Sequence, residues 1–460
     1  METLMNFRAF LAILVCKTLR FLSRLLHRGG TAMPGRWAVK ICPNLLSILA
    51  RDVKTIAVTG TNGKTSTSRM IEEAFAEQGL DYFANRSGAN LMSGVVTEFV
   101  MNCSLTGKMR RHNAVIECDE AASRTVFAQL KPKVILVTNL FRDQLDRYGE
   151  VTHTLENIRF GIHGAPDAVL CLNADCSLTS SLALDLPNRA VFYGLEKGAV
   201  PSREKPEISD ATHCIRCKTE YDYSYITYAH LGGFQCPHCG YSRQKAQYAV
   251  TAVTETRPDG SSTKMQIGEK TYRMDVNLPA VYNIYNAAGC VAALTEFGIP
   301  AETAVTAPAR FQCGFGRMEK FDLAGGTRVM LVKNPAGCNQ VLEFLQSVQE
   351  EYILVICLND RGADGTDVSW IWDADFERLT ALRPNLTKVI VSGDRTGDMH
   401  VRVKYAGLEE SVIAEERDYE ALVISLMKES LPVFIMPTYT AMVDLRTVII
   451  RHVGGTEFWE

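Results

Sequence analysis

The sequence predicts an α/β protein: a doubly wound parallel sheet, a four-cysteine unit inserted into it, and a second, smaller α/β region. Three observations predict this. Apolar runs of strand length alternate with longer stretches of helical pattern, a glycine turn joins the first such run to its helix, and two Cys-x-x-Cys pairs interrupt the alternation.

The first run is Lys54-Thr55-Ile56-Ala57-Val58, a strand. Ser66 to Gly79 lacks proline and carries Met70, Ile71, Ala74 and Phe75 at helical spacing. Between them lies Gly60-Thr61-Asn62-Gly63-Lys64-Thr65. A glycine turn at a helix N-terminus aims backbone N–H groups and the positive end of the helix dipole at anionic oxygens. In this pattern Lys64 reaches the β- and γ-phosphates of a nucleoside triphosphate and Thr65 ligates Mg²⁺, with Gly60 through Ser66 forming the cradle. The usual loop has a glycine five residues before Gly63; Val58 stands there, so the loop is shortened to G-x-x-G-K-T.

Two more strands follow. Ala114-Val115-Ile116-Glu117-Cys118-Asp119-Glu120 ends in acids, and Val134-Ile135-Leu136-Val137-Thr138-Asn139 leads into the polar run Arg142 to Arg147. In a parallel sheet wound by crossovers the ligand lies beyond the carboxyl ends of the strands, where Gly60, Glu117 and Asn139 would gather. Glu117 is then placed to hold Mg²⁺ opposite Thr65. Judged alone, Glu117 also fits a solvated acid at a strand end.

Cys214-x2-Cys217 and Cys236-x2-Cys239 are separated by eighteen residues, a spacing that suits a Cys₄ zinc ribbon. Pro237, Gly233 and Gly240 suit its knuckle turns. Four thiolates leave no position for water, so the Zn²⁺ is expected to be structural. The segment 201–247 reads as an insertion. Its tyrosines Tyr221, Tyr223, Tyr225 and Tyr228 form either a strand face or a contact surface.

At 460 residues and 47% hydrophobic content the chain can bury several cores. A net charge of -3 and a pI near 6.3 offer no electrostatic footprint for non-specific nucleic-acid binding. The fourteen cysteines are scattered without a secretory signal. Cys42, Cys103, Cys118, Cys171, Cys176, Cys290, Cys313, Cys338 and Cys357 sit in mostly apolar surroundings and read as core thiols of a cytoplasmic protein. The N-terminal stretch from Phe10 to Leu26 mixes apolar residues with Lys17, Arg20 and Arg24, and its uninterrupted apolar run, Ala9 to Cys16, is too short to span a bilayer. It is expected to be an amphipathic arm, packed on the body or touching an anionic membrane surface.

Further strands are expected at Leu354–Leu358, Val389–Ser392 and Val433–Met436. The chain thus divides into an arm (1–49), a central ATP-binding domain (50–316) that holds the ribbon, and a C-terminal α/β domain (317–460). Gly314 and Gly316 mark a hinge between the last two.

Gly60 to Thr65, the Glu117 strand end, the run Asn139 to Asp146, Leu172-Asn173-Ala174-Asp175, Asn283 in Val281 to Asn286, and Gly316-Arg317 together resemble the Mur ligases. The fold is thereby expected to be a Mur-ligase-like central P-loop ATPase domain with an inserted Cys₄ ribbon and a smaller α/β C-terminal domain. The ribbon and the tryptophan-bearing segment Asp364 to Asp373 narrow the resemblance to the Mur-ligase-like subunits of lipid II isoglutaminyl synthases. Such subunits amidate the D-glutamate α-carboxylate of lipid II through an acyl phosphate made from ATP. Ammonia comes from a class I glutamine amidotransferase subunit, GatD, in a heterodimer. The resemblance implies that Lys64 and Glu117 act in catalysis, that Asn283 and Arg317 contact the nucleotide or position the domains, and that Asp367 completes a Cys-His-Asp arrangement with the partner's cysteine and histidine. Asp364 and Asp373 lie close enough to compete for that assignment, and all three acids also fit turn caps.

Two departures from the wider family stand out. Asp143-Gln144 replaces an Asp-His pair that helps hold a second metal. Met330-Leu331-Val332-Lys333-Asn334-Pro335 retains only Asn334-Pro335 of the usual Asp-Tyr-Ala-His-Asn-Pro, which suits a small neutral nucleophile. The alternatives are an amino-acid-adding Mur or folylpolyglutamate-type ligase and a nucleotide-switched binding module.

Overall fold

The computed structural model describes residues 7–25, 32–85, 89–142, 151–203, 210–257, 259–311 and 317–454. The central sheet begins with six parallel strands: β1 (Lys54–Thr59), β2 (Tyr82–Ala84), β3 (Asn113–Glu117), β4 (Val134–Val137), β5 (Val169–Asn173) and β6 (Ala190–Leu195). Their spatial order is β6-β5-β4-β1-β3-β2. Ile56, Ala57 and Val58 in β1 and all of Val134–Val137 are inaccessible to solvent, as continuous aliphatic runs covered on both faces should be. Here the sequence reading and the structure agree.

After β6 the chain leaves the sheet to form a hairpin, β7 (Asp222–Tyr228) with β8 (Leu231–Gln235), and returns as β9 (Tyr248–Arg257), parallel to β6. β10 (Gly260–Ile267) and β11 (Lys270–Val276) then extend the same sheet antiparallel to nine strands. This antiparallel edge lacks the long apolar runs that marked the other strands. Glu255, Lys264 and Arg273 stay on its open face, so it carries only weak strand signals. The helix Val281–Phe297 crosses the sheet and packs beside the helix Lys64–Glu77. Its small residues permit close approach: a Cβ on Gly289 would lie 3.0 Å from the Tyr193 ring.

A second sheet combines β12 (Arg317–Phe321), β13 (Thr327–Met330), β14 (Tyr352–Cys357), β15 (Leu386–Ser392), β16 (Ile413–Glu415) and β17 (Val433–Pro437), in the order β12-β13-β17-β14-β15-β16. All neighbours are parallel except β12, which runs antiparallel to β13. The three predicted runs are β14, β15 and β17, each buried where it is aliphatic.

The N-terminal helices Phe7–Leu25 and Ala32–Ile41 pack on the body through Ala9, Ala12, Ile13, Cys16 and Ala38. Gly35 lies so close to the Ser93 carbonyl of the helix Met92–Met101 that a Cβ there would collide with it. Cys42, Cys103, Cys118, Cys171, Cys176, Cys290, Cys338 and Cys357 are buried free thiols. Burial pushes the Cys42 and Cys103 thiols up, as it does those of Cys118 and Cys171. Cys313, the hinge glycines Gly314 and Gly316, and Asp143-Gln144 lie outside the described residues.

Candidate functional site

β1 ends at Thr59 and the helix Lys64–Glu77 begins after only Gly60 to Gly63, so the loop is as short as its sequence implies. Gly60 (φ 121°) and Gly63 (φ 86°) adopt left-handed conformations that favour glycine. A Cβ at Gly63 would run into the Asn286 side chain, and one at Gly60 would lie 2.8 Å from the Asn139 carbonyl. The loop is clamped from the end of β4. Thr61 N–H donates to the Asn139 carbonyl at 2.9 Å, Asn62 N–H to Asn139 Oδ1 at 2.9 Å, and Thr138 Oγ1 to the Asn62 carbonyl at 2.7 Å.

Lys64 is buried, and its Nζ donates to the Gly60 carbonyl at 2.6 Å and to Glu120 Oε1 at 2.9 Å. Burial alone would depress the ammonium, but the charges of Glu120 and Glu117 outweigh it and hold its pKa above the ordinary lysine value. Thr65 Oγ1 donates to Glu117 Oε2 at 2.8 Å. Glu117 is locked by Asn85, whose Oδ1 accepts from Glu117 N at 2.9 Å and whose Nδ2 donates to its carbonyl at 2.7 Å.

The loop opens into a cleft of about 750 Å³, solvent-open space included, whose walls come from both sheets. Asn62, Gly63 and Ser66 line one side, Asn283 and Asn286 the next, and Gly337 the other. Asn283 donates to the Pro279 carbonyl at 2.6 Å and accepts from Asn286 at 3.2 Å. Asn334 caps the helix Pro335–Gln346, accepting from Gly337 N at 2.8 Å, while its Nδ2 donates to Asn62 Oδ1 at 3.2 Å. Arg317 begins β12, and its side chain lies outside the described residues.

Cys214, Cys217, Cys236 and Cys239 converge, with their four Sγ atoms within 4.8 Å of one another. Sγ to Sγ is 3.5 Å for Cys214–Cys239 and 3.4 Å for Cys217–Cys236. The tyrosines of the insertion pack inward rather than forming a contact surface. Tyr221 packs at a tilt against the rings of Phe234 and Tyr241, Tyr225 donates to the Leu195 carbonyl at 2.8 Å, and Tyr228 reaches the cleft wall. The insertion is fastened by Arg243, whose Nε lies 2.6 Å from the buried Asp175 carboxylate.

The three C-terminal acids separate by environment. Asp364 is buried and caps the helix Tyr439–Val453, accepting from Thr440 N at 2.7 Å. Asp373 pairs with Arg142 at 3.4 Å. Asp367 is half-buried, accepts from Ser369 N at 2.8 Å, and is held below the usual carboxylate range by hydrogen bonding to Ser369, its side chain first and its backbone second. Of the three it is the one whose hydrogen bonding, among the described residues, stays local to its own turn.

Sequence reasoning missed Glu120 as the partner of Lys64, although it ends the same acidic run as Glu117. It also missed Asn334 as a bridge between the sheets; the Asn-Pro pair signals an N-cap followed by proline at the first helical position.

Residues 58–236 match the Mur ligase middle domain and residues 331–442 the MurT ligase C-terminal domain. The lipid II isoglutaminyl synthase (glutamine-hydrolyzing) subunit MurT of Staphylococcus aureus is 32% identical over 450 residues, 97% of this chain and 99% of that one. Its counterpart from Streptococcus pneumoniae is 31% identical, covering 97% and 98%. The fold is shared with a pseudomurein peptide ligase type C from Methanothermus fervidus (TM-score 0.64, 18% identity, 87% of this chain and 78% of that one). It is shared too with the folylpolyglutamate synthase of Mycobacterium tuberculosis (TM-score 0.60, 13% identity, 96% of each). Phosphate loop, inserted four-cysteine unit and C-terminal sheet therefore have one common explanation: the chain belongs to the MurT family of Mur ligases.

Proposed function

We propose that the chain is the synthetase subunit of a glutamine-hydrolysing amidotransferase that converts the D-glutamate α-carboxylate of lipid II to D-isoglutamine. Residues 50–316 serve as the ATP-binding lobe and 317–460 as the lobe that closes over it. The observation that carries this reading is that the loop bearing Lys64 and Thr65 opens, through Asn62, Gly63 and Ser66, on a cleft whose far wall belongs to the MurT-type C-terminal region.

The residues fit the groups this reaction needs. Thr65 Oγ1 and Glu117 Oε2, 2.8 Å apart, are adjacent hard oxygen donors that would hold a Mg²⁺ ion. Magnesium-bound ATP supplies the phosphoryl group that turns the carboxylate into an acyl phosphate. Gly60, Thr61, Asn62, Gly63 and Ser66 hold the phosphates. Lys64 brings a buried positive charge to the transferring group. Asn283, with Arg317, orients the nucleotide between the lobes. Ammonia then attacks the acyl carbon and phosphate leaves. Asp367 faces the glutaminase partner, GatD, and orients its catalytic histidine. The lipid-linked substrate sets the work at the cytoplasmic face of the membrane.

The four-thiolate cluster fits zinc, since bonds of ~2.3 Å give tetrahedral edges of about 3.8 Å, close to the observed spacings. One zinc per chain is expected by elemental analysis. Cys214→Ser/Cys236→Ser should lose it and melt roughly 5–10 °C lower, as metal-linked folding energy is withdrawn. A metal-free wild type with an unchanged melt would count against a structural zinc.

The decisive assay is mass spectrometry of lipid II after incubation with the chain, ATP, Mg²⁺ and ammonium, repeated with the co-expressed glutaminase and glutamine. Conversion of one carboxylate to an amide is expected. No amide in either format overturns the reading.

A further inference from the structure

We propose that the two N-terminal helices are a membrane-surface anchor that seats on a bilayer bearing anionic lipid headgroups. The helix Phe7–Leu25 is apolar on both faces. Its inward face uses Ala9, Ala12, Ile13, Cys16 and Ser23, while Phe7, Phe10, Leu14, Phe21, Leu22 and Leu25 point outward. Phe7, Phe21 and Leu25 are 75%, 67% and 66% exposed. At 100° per residue the outward six fall on one stripe, directly opposite the buried one, and span roughly 27 Å along the axis. Single exposed hydrophobics are ordinary; a ridge of aromatic and aliphatic side chains, broken at Thr18, marks an interaction surface.

The second helix, Ala32–Ile41, adds Met33 and Trp37, 45% and 49% exposed, four residues apart. Arg36 and Lys40 are exposed on the same helix, the Lys40 ammonium 4.9 Å above the Trp37 ring.

Charge chooses the occupant. The first fifty residues carry seven Lys and Arg and only one acid, Glu2, in a chain whose net charge is -3. A second copy of this chain would bring the same positive charge to the ridge and be repelled, whereas anionic headgroups complement it. Lys17 is already committed, donating to the Cys103 carbonyl at 2.8 Å. Arg36 and Lys40 are exposed beside the apolar surface. No described helix is long and apolar enough to cross a membrane, so the helix lies in the interface plane. The inference rests on this surface and is independent of the reaction assigned above.

The test is flotation of the full chain with phosphatidylcholine vesicles and with equimolar phosphatidylcholine–phosphatidylglycerol vesicles. Wild type is expected to float with the anionic vesicles and at least ~10-fold less with the neutral ones. Leu14→Glu/Phe21→Glu should lose flotation without a change in thermal midpoint, both sites being solvent-facing. Arg36→Glu/Lys40→Glu, which leaves the ridge intact, should weaken binding at least ~10-fold and flatten its salt dependence. Wild type remaining unbound to both vesicle types overturns the proposal. So does a dimer in light scattering that Leu14→Glu/Phe21→Glu converts to monomer, which would assign the ridge to a second copy.

Discussion

Lys64→Met is expected to lower ATP-dependent amidation by at least ~10³-fold, the range found when a charge that stabilises a transferring phosphoryl group is withdrawn. The ammonium sits where the loop's glycines converge, 2.6 Å from the Gly60 carbonyl, and remains protonated because Glu120 and Glu117 hold it so. The single substitution also strands Glu120 as a buried charge, at a cost of about 3–5 kcal/mol. Lost activity alone would therefore confound chemistry with folding. Lys64→Met/Glu120→Gln removes both charges of the pair and should recover most of the thermal midpoint while leaving amidation as low as before. Initial rates with saturating ammonium, measured beside the melts, separate the two effects. If the double variant regained activity within tenfold of wild type, Lys64 would have only a structural part.

Asp367→Asn should divide the reaction differently. Glutamine-driven amidation is expected to fall ~10²–10⁴-fold, as when a triad acid that orients a histidine is made neutral, while ammonium-driven amidation stays within about twofold. The expectation follows from the contacts of the three acids. Asp364 is spent on capping Tyr439–Val453 and Asp373 on Arg142, so their substitution should lower both activities together through stability. Asp367 hydrogen-bonds only locally among the described residues, to Ser369, which holds its carboxyl below the usual range, and it stays half-exposed. A parallel fall of both activities in Asp367→Asn would remove the residue from any role in the partner's site.

Local chemistry made the phosphate loop readable. Two left-handed glycines, a lysine and a threonine stand in one short segment, and the structure places them as a strand–turn–helix. Thr65 and Glu117 could be paired from sequence because the loop that follows β1 leads straight into the helix bearing Thr65, and Glu117 ends the neighbouring parallel strand β3. Contacts between distant segments were less visible. Glu120 is 56 residues from Lys64 and Asn334 is 272 from Asn62, and nothing in either neighbourhood specifies the other. The antiparallel edge β9–β11 escaped because half-exposed strands mix charged and apolar residues. The tyrosines of the insertion alternate as a surface strand would, yet close packing against Phe234, Tyr241 and Leu195 takes them inside. Alternation reports a face, not what covers it.

The cleft has no single owner. The phosphate loop, the inserted hairpin through Tyr228, the helix bearing Asn283 and Asn286, and the C-terminal lobe through Met330 and Gln340 each contribute part of its wall. The insertion is consequently not an exchangeable module that could be gained or shed without trace. A lineage that altered its length or anchoring would reshape the chamber beside the phosphate loop. Divergence in any one of these four segments is constrained by the other three.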